Sequence, residues 1–118
     1  MVTLGYGIGN RNKTLYDYKR KAKERGYSWE LTDEQAISLF ESTCFYCGIP
    51  PSISSVNRKN STPYIRNGID RKNNSIGYTP ENCVACCKEC NHWKGNRNFE
   101  DFMNHITRIA NHLSKPQI

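Results

Sequence analysis

Three Cys-x-x-Cys pairs constrain this chain more than any other feature: Cys44/Cys47, Cys83/Cys86 and Cys87/Cys90. Two such pairs make a tetrahedral four-thiolate site of the structural zinc kind. Cys44 and Cys47 must supply one half, because no other cysteine lies in the N-terminal part. Cys87 and Cys90 are expected to supply the other, since a helix beginning there turns both sulfurs inward. Cys83 and Cys86 fall on or near a strand, whose side chains alternate, and are read as small buried residues; they remain the alternative pair. The chain needs such a staple. Its hydrophobic content is 36%, much of it Tyr and Cys, so the aliphatic core is thin. A closed site of this kind contributes on the order of 10 kcal/mol or more to the metal-bound fold.

Metal is preferred to disulfides because nothing points to an oxidising compartment. The opening MVTLGYGIGNRNK lacks the charged and apolar regions of a signal peptide, and no apolar stretch approaches membrane-spanning length. The expected location is cytoplasmic, in a bacterial or phage-infected cell. At 118 residues the chain is read as one domain, residues 1–118. Seventeen basic against eleven acidic residues give a net charge of +6, which favours a polyanionic partner.

Residues 1–13, rich in glycine, are expected to be an irregular, flexible arm; GYGIG lacks the context of a phosphate loop. From Thr14 the pattern is helical and ends at Gly26, with Lys19, Arg20 and Lys23 as candidate backbone contacts and Tyr16, Tyr18 and Tyr27 among the bases. Thr32-Asp-Glu-Gln35 is a capping box for a helix to about Ser42, with Ala36, Leu39 and Phe40 on its apolar side. Ser52 to Pro63, which includes Arg58 and Lys59, reads as a loop. Residues 67–70 are expected to be the first strand of a hairpin and residues 82–85 the second. A short helix from about Cys87 carries Asn91 and Lys94 and stops at Gly95. Asn98 then caps a last helix whose stripe (Phe99, Phe102, Met103, Ile106, Ile109, Ala110, Leu113) is expected to pack against the cysteine unit.

These motifs together carry a resemblance. NGIDR at residues 67–71, GYT at 77–79, Asn82, and Cys87-x-x-Cys90-Asn91-x-x-Lys94, with the upstream Cys-x-x-Cys, resemble the HNH endonucleases of the ββα-metal (His-Me finger) superfamily. Small phage and homing-type members are the nearest in pattern. The resemblance spans Tyr16 to Ile109. It implies an α+β fold: a hairpin–helix unit with a structural zinc, flanked by helices. It further implies a phosphodiester hydrolase acting on DNA ahead of RNA, with Asp70 and Asn91 as ligands of a catalytic Mg²⁺ or Mn²⁺ and Asn82 bracing the hairpin. Hard cations of this type take oxygen ligands and keep several waters. Lys94 and Arg97, with Arg66 and Lys72, are expected to reach phosphate, and Trp93 is expected in the core.

One position departs from the family. Its usual base histidine is replaced by Arg71, which stays protonated and suits a phosphate clamp rather than a base. Candidate bases are His92, His105, Tyr64 and Tyr78, with His92 and His105, like His112, more naturally surface residues. The missing histidine keeps a second reading open, a non-catalytic zinc-stapled nucleic-acid-binding module.

Overall fold

The computed structural model describes residues 7–56 and 61–116. Along the chain these form helices α1 (Ile8–Glu24) and α2 (Asp33–Phe40) and strands β1 (Ile53–Ser55), β2 (Tyr64–Arg66), β3 (Gly68–Arg71) and β4 (Cys83–Cys86). Helices α3 (Lys88–Lys94) and α4 (Phe99–Ser114) complete it. It is a small α+β fold with two antiparallel hairpin sheets, β1–β2 and β3–β4.

α1 starts earlier than the sequence pattern suggested. Of the arm expected over residues 1–13, residues 8–13 are the first turns of α1, and residues 1–6 lie outside the described residues. Gly9 is accommodated because it is exposed, and Asn10 is buried, donating to Ser61 Oγ at 3.1 Å. The helix therefore gains a tertiary anchor that outweighs the poor propensity of glycine. α2 opens with the expected capping box: Gln35 N donates to Thr32 Oγ1 at 3.0 Å, and Thr32 N donates to Gln35 Oε1 at 2.9 Å. Ala36 and Phe40 bury its inner side against Leu15, Leu31, Tyr64 and Ile69. Tyr18 packs its ring 5.2 Å from Phe40.

The segment read as a loop after Pro51 contains β1, paired with β2 from Ile53↔Arg66 to Ser55↔Tyr64. Alternation there is too short to register as a strand from sequence. Arg58 and Lys59 lie outside the described residues.

The β3–β4 hairpin is the centre of the molecule, in register from Gly68↔Cys86 to Arg71↔Cys83. Two glycines admit close approaches to it. A Cβ at Gly68 would lie 2.8 Å from the Tyr18 hydroxyl, which accepts from Ile69 N at 3.2 Å. A Cβ at Gly77 would sit 2.8 Å from Ser28 N, where the chain after α1 crosses the hairpin loop. That crossing is held by Tyr78 N donating to Ser28 O and Glu30 N donating to Tyr78 O.

α4 corrects a second expectation. Phe99 and Phe102 pack against Tyr46, with ring centroids 6.2 and 5.4 Å apart. Beyond them the stripe leaves the body: Ile106, Ile109 and Leu113 are exposed. Only the first turns of α4 are core, because the cysteine unit is too small to cover a helix of roughly 24 Å.

Candidate active site and metal centre

The Cys-x-x-Cys turn at Cys44 to Cys47 and the start of α3 bring four sulfurs together. Cys44, Cys47, Cys87 and Cys90 place their Sγ atoms within 4.8 Å of one another, and Cys47 and Cys87 are 3.7 Å apart. Four thiolates about 2.3 Å from a tetrahedral ion have S···S edges of about 3.8 Å, so this group can bind a metal ion. Cys87 is also the N-cap of α3, its sulfur accepting from Cys90 N at 3.4 Å. Burial pushes the Cys44 thiol up, but backbone N–H groups of Cys47, Cys87 and Tyr46 outweigh it and bring the thiol down to about 6. Cys83 and Cys86 sit apart in β4, buried, with Cys83 pushed up to about 12 chiefly by burial. The two halves expected from the sequence are the two halves that meet.

The turn between Cys44 and Cys47 does more than carry ligands. Tyr46, inside it, donates its hydroxyl to Asp70 Oδ2 at 2.7 Å. The other oxygen, Oδ1, lies 3.3 Å from Lys94 Nζ. Lys94 is fully buried and also donates to Arg71 O at 3.1 Å. The carboxylate of β3 is thus fixed from two sides, by the cysteine turn and by α3. Burial first, then the bond to Asp70, raises the Tyr46 hydroxyl well above its ordinary value, so it remains a donor.

Asp70 opens on a cleft of about 960 Å³ between the hairpin–helix unit, α1 and β1. Asn91, exposed on α3, lines the same cleft, as does Arg71. Arg71 is held in place: its Nη1 donates to Asn74 O at 2.7 Å and to Ile76 O at 3.0 Å, and its guanidinium carbon lies 3.6 Å above the Tyr27 ring. A cation on an aromatic face gains electrostatic attraction and loses mobility. Asn82 does not line the cleft. Its Oδ1 accepts from Asn73 N, and its Nδ2 donates to Asn73 O, Ile76 O and Gly77 O, which ties the loop of the β3–β4 hairpin. It shares Ile76 O, one of the two carbonyls that hold Arg71.

The basic residues fall differently from the expectation. Lys94, expected to reach phosphate, is buried behind Asp70 and unavailable at the surface. Arg97 donates to Trp93 O and Lys94 O at the end of α3, and Lys72 Nζ rests 6.0 Å from the Phe99 ring. Lys19 pairs with Asp33 at 2.7 Å and Arg20 with Glu24 at 2.8 Å; neither they nor Lys23 line the cleft. Of the residues expected to meet phosphate, Arg66 and the expected clamp Arg71 line it. The α1 face turned to the cleft carries Lys13, Asp17, Lys21 and Arg25 instead. These recur at four-residue intervals, a signal present in the sequence but out of phase with the cations chosen from it. Asp17 is bonded first by Lys13, which holds its carboxyl below the usual range.

Among the candidate bases, Tyr64 donates to Glu41 at 2.7 Å and is buried. His105 lies on α4 beside Arg108, and His92 meets the Trp93 ring edge-on; neither lines the cleft. Trp93 is 69% exposed rather than in the core. Tyr78 does line the cleft, with Arg71 5.5 Å from its ring centroid. Tyr27 and Tyr46 complete the group around Asp70 and Arg71, and sequence reasoning missed Tyr46 because nothing local marks it as more than part of the cysteine turn.

No protein-family model matches the chain. It is 39% identical over 113 residues to an uncharacterized protein, R423, of Acanthamoeba polyphaga mimivirus, covering 96% of this chain. The chain spans 19% of the length of that relative. Among solved structures it is similar to the rare-cutting HNH restriction endonuclease PacI, with a TM-score of 0.60 and 20% identity over 86% of this chain and 78% of that one. The likeness extends over most of both chains, and the fold is HNH-like.

Proposed function

We propose that this chain is a metal-dependent endonuclease or nickase that hydrolyses phosphodiester bonds in DNA. The observation that carries the reading is the meeting of Asp70 and Asn91 on one cleft, in a fold similar to that of an HNH restriction endonuclease. In this reading Cys44, Cys47, Cys87 and Cys90 hold a structural Zn²⁺, which their mutual distances fit. Asp70 and Asn91 would hold Mg²⁺ or Mn²⁺, for which a carboxylate oxygen and an amide oxygen are suitable donors. When bound, such an ion stabilises the charge developing on the phosphate and the leaving oxygen.

The chain's own residues supply the rest. Tyr46 and Lys94 fix the position of the Asp70 carboxylate at the edge of the cleft. Arg71, held by two carbonyls at Nη1 and backed by the Tyr27 ring, offers its guanidinium charge to a phosphate oxygen in the cleft. Lys13, Lys21, Arg25 and Arg66 line the walls along which the backbone runs.

The test is conversion of supercoiled plasmid to nicked circles by purified protein with Mg²⁺ or Mn²⁺. EDTA is expected to stop it, and Asp70→Ala and Asn91→Ala to lower it by a hundredfold or more. Absence of cutting by the metal-loaded protein, with DNA still bound, would replace this reading with that of a binding module.

A further inference from the structure

We propose that the outer half of α4 is a self-association surface, occupied by a second copy of this chain in antiparallel orientation. Ile106 is 39% exposed, Ile109 45% and Leu113 68%, and these three lie on one side of a helix whose inner turns are already packed. With Phe99 at the first position, the apolar residues Phe99, Phe102, Met103, Ile106, Ile109, Ala110 and Leu113 follow a heptad spacing through two repeats. Heptad seams of this kind pack against another helix. The patch continues onto Phe45, 54% exposed, whose ring lies 6.0 Å from Phe99.

The charge distribution selects the occupant and its direction. The first turn of α4 carries Glu100 and Asp101, whereas its outer half carries Arg108, then His112 in the last turn, with Lys115 at the C-cap. A second copy running the opposite way sets the acidic end of each helix beside the basic end of the other. A parallel copy would set like charges together. An antiparallel pair centred between Ile106 and Ile109 also lays Leu113 of one copy opposite Phe102 of the other, beside Met103, closing the seam from both ends. The contact is isologous, each copy offering the same face. Its span of a few turns makes a small interface, so association is expected only at high protein concentration.

The experiment is sedimentation equilibrium of the full chain with zinc present, at concentrations rising from about 1 to 200 µM. The average mass is expected to climb from the 13.6 kDa of one chain toward twice that value. Ile109→Glu with Leu113→Glu, at exposed positions, is expected to remain at one chain mass with an unchanged circular dichroism spectrum. Glu100→Lys with Asp101→Lys is expected to raise the dimer dissociation constant at least tenfold, and adding Arg108→Glu with Lys115→Glu is expected to restore it. A single chain mass throughout the range overturns the proposal. So does a dimer indifferent to the two glutamates, or one that the charge reversals leave unchanged.

Discussion

The hydroxyl of Tyr46 lies 2.7 Å from Asp70 Oδ2, linking the turn that carries Cys44 and Cys47 to the carboxylate in the cleft. The cysteine turn and the cleft carboxylate are therefore one mechanical unit. Lys94 closes it from the other side, with no exposed surface of its own.

The buried pair gives the first prediction. Asp70→Asn leaves the Lys94 ammonium buried without its anionic partner, and the expected loss of stability is about 3–5 kcal/mol. Adding Lys94→Met should recover most of it, since the remaining groups are then neutral. Denaturant melts of the two single variants and the double variant measure the coupling. A double variant as unstable as Asp70→Asn would show that the pair is not the cause.

Alkaline pH should expose the tyrosines. Tyr46 and Tyr64 both hydrogen-bond to carboxylates, and burial together with those partners raises their folded values above the ordinary value of about 10. A raised folded value means that the unfolded chain loses its protons first. Stability is then complete below about pH 10 and falls as the pH climbs above it. Thermal melts from pH 7 to 11 should show this decline, shallower in Tyr46→Phe and Tyr64→Phe. At neutral pH Tyr46→Phe should slow plasmid nicking while leaving zinc content unchanged.

Removing the clip ion should dismantle the site before any chemistry is tested. Chelation strong enough to strip the four cysteines, or Cys87→Ser, is expected to abolish cooperative folding, the binding free energy being on the order of 10 kcal/mol. Circular dichroism during titration with a chelator measures the loss, and readdition of Zn²⁺ should reverse it. A spectrum unchanged in the stripped protein would remove the clip from the folding account.

The cleft face of α1 makes a prediction that separates two sets of cations. Lys21→Ala and Arg25→Ala should each weaken DNA binding and reduce the magnitude of the log–log salt slope by about one. Lys19→Ala, whose side chain pairs with Asp33, should leave that slope unchanged. Fluorescence anisotropy across a salt series measures both. Equal effects would place the nucleic acid elsewhere.

The sequence was most informative where chemistry imposes spacing. The two cysteine pairs, the Thr32–Gln35 capping box and the hairpin carrying Asp70 follow from short-range rules and are found where those rules put them. It was least informative where tertiary contacts decide. The start of α1 depends on Asn10 meeting Ser61, far along the chain. The burial of Lys94 depends on a carboxylate in another element, so its charge pointed outward on paper and inward in the fold. The phase of α1 was ambiguous because cations occur around much of the helix, and only the position of β1 and the hairpin selects Lys13, Lys21 and Arg25. Tyr46 could not be singled out, since its partner lies 24 positions away.

The fixed lysine behind Asp70 carries a last consequence. An anion already neutralised by its own ammonium exerts little pull on a free cation, and little repulsion on an approaching strand. On the proposed reading, ion and nucleic acid are expected to load cooperatively, each supplying what the other lacks. Mn²⁺ titrated alone should then bind feebly by calorimetry, and tighten when a short uncleavable duplex is present.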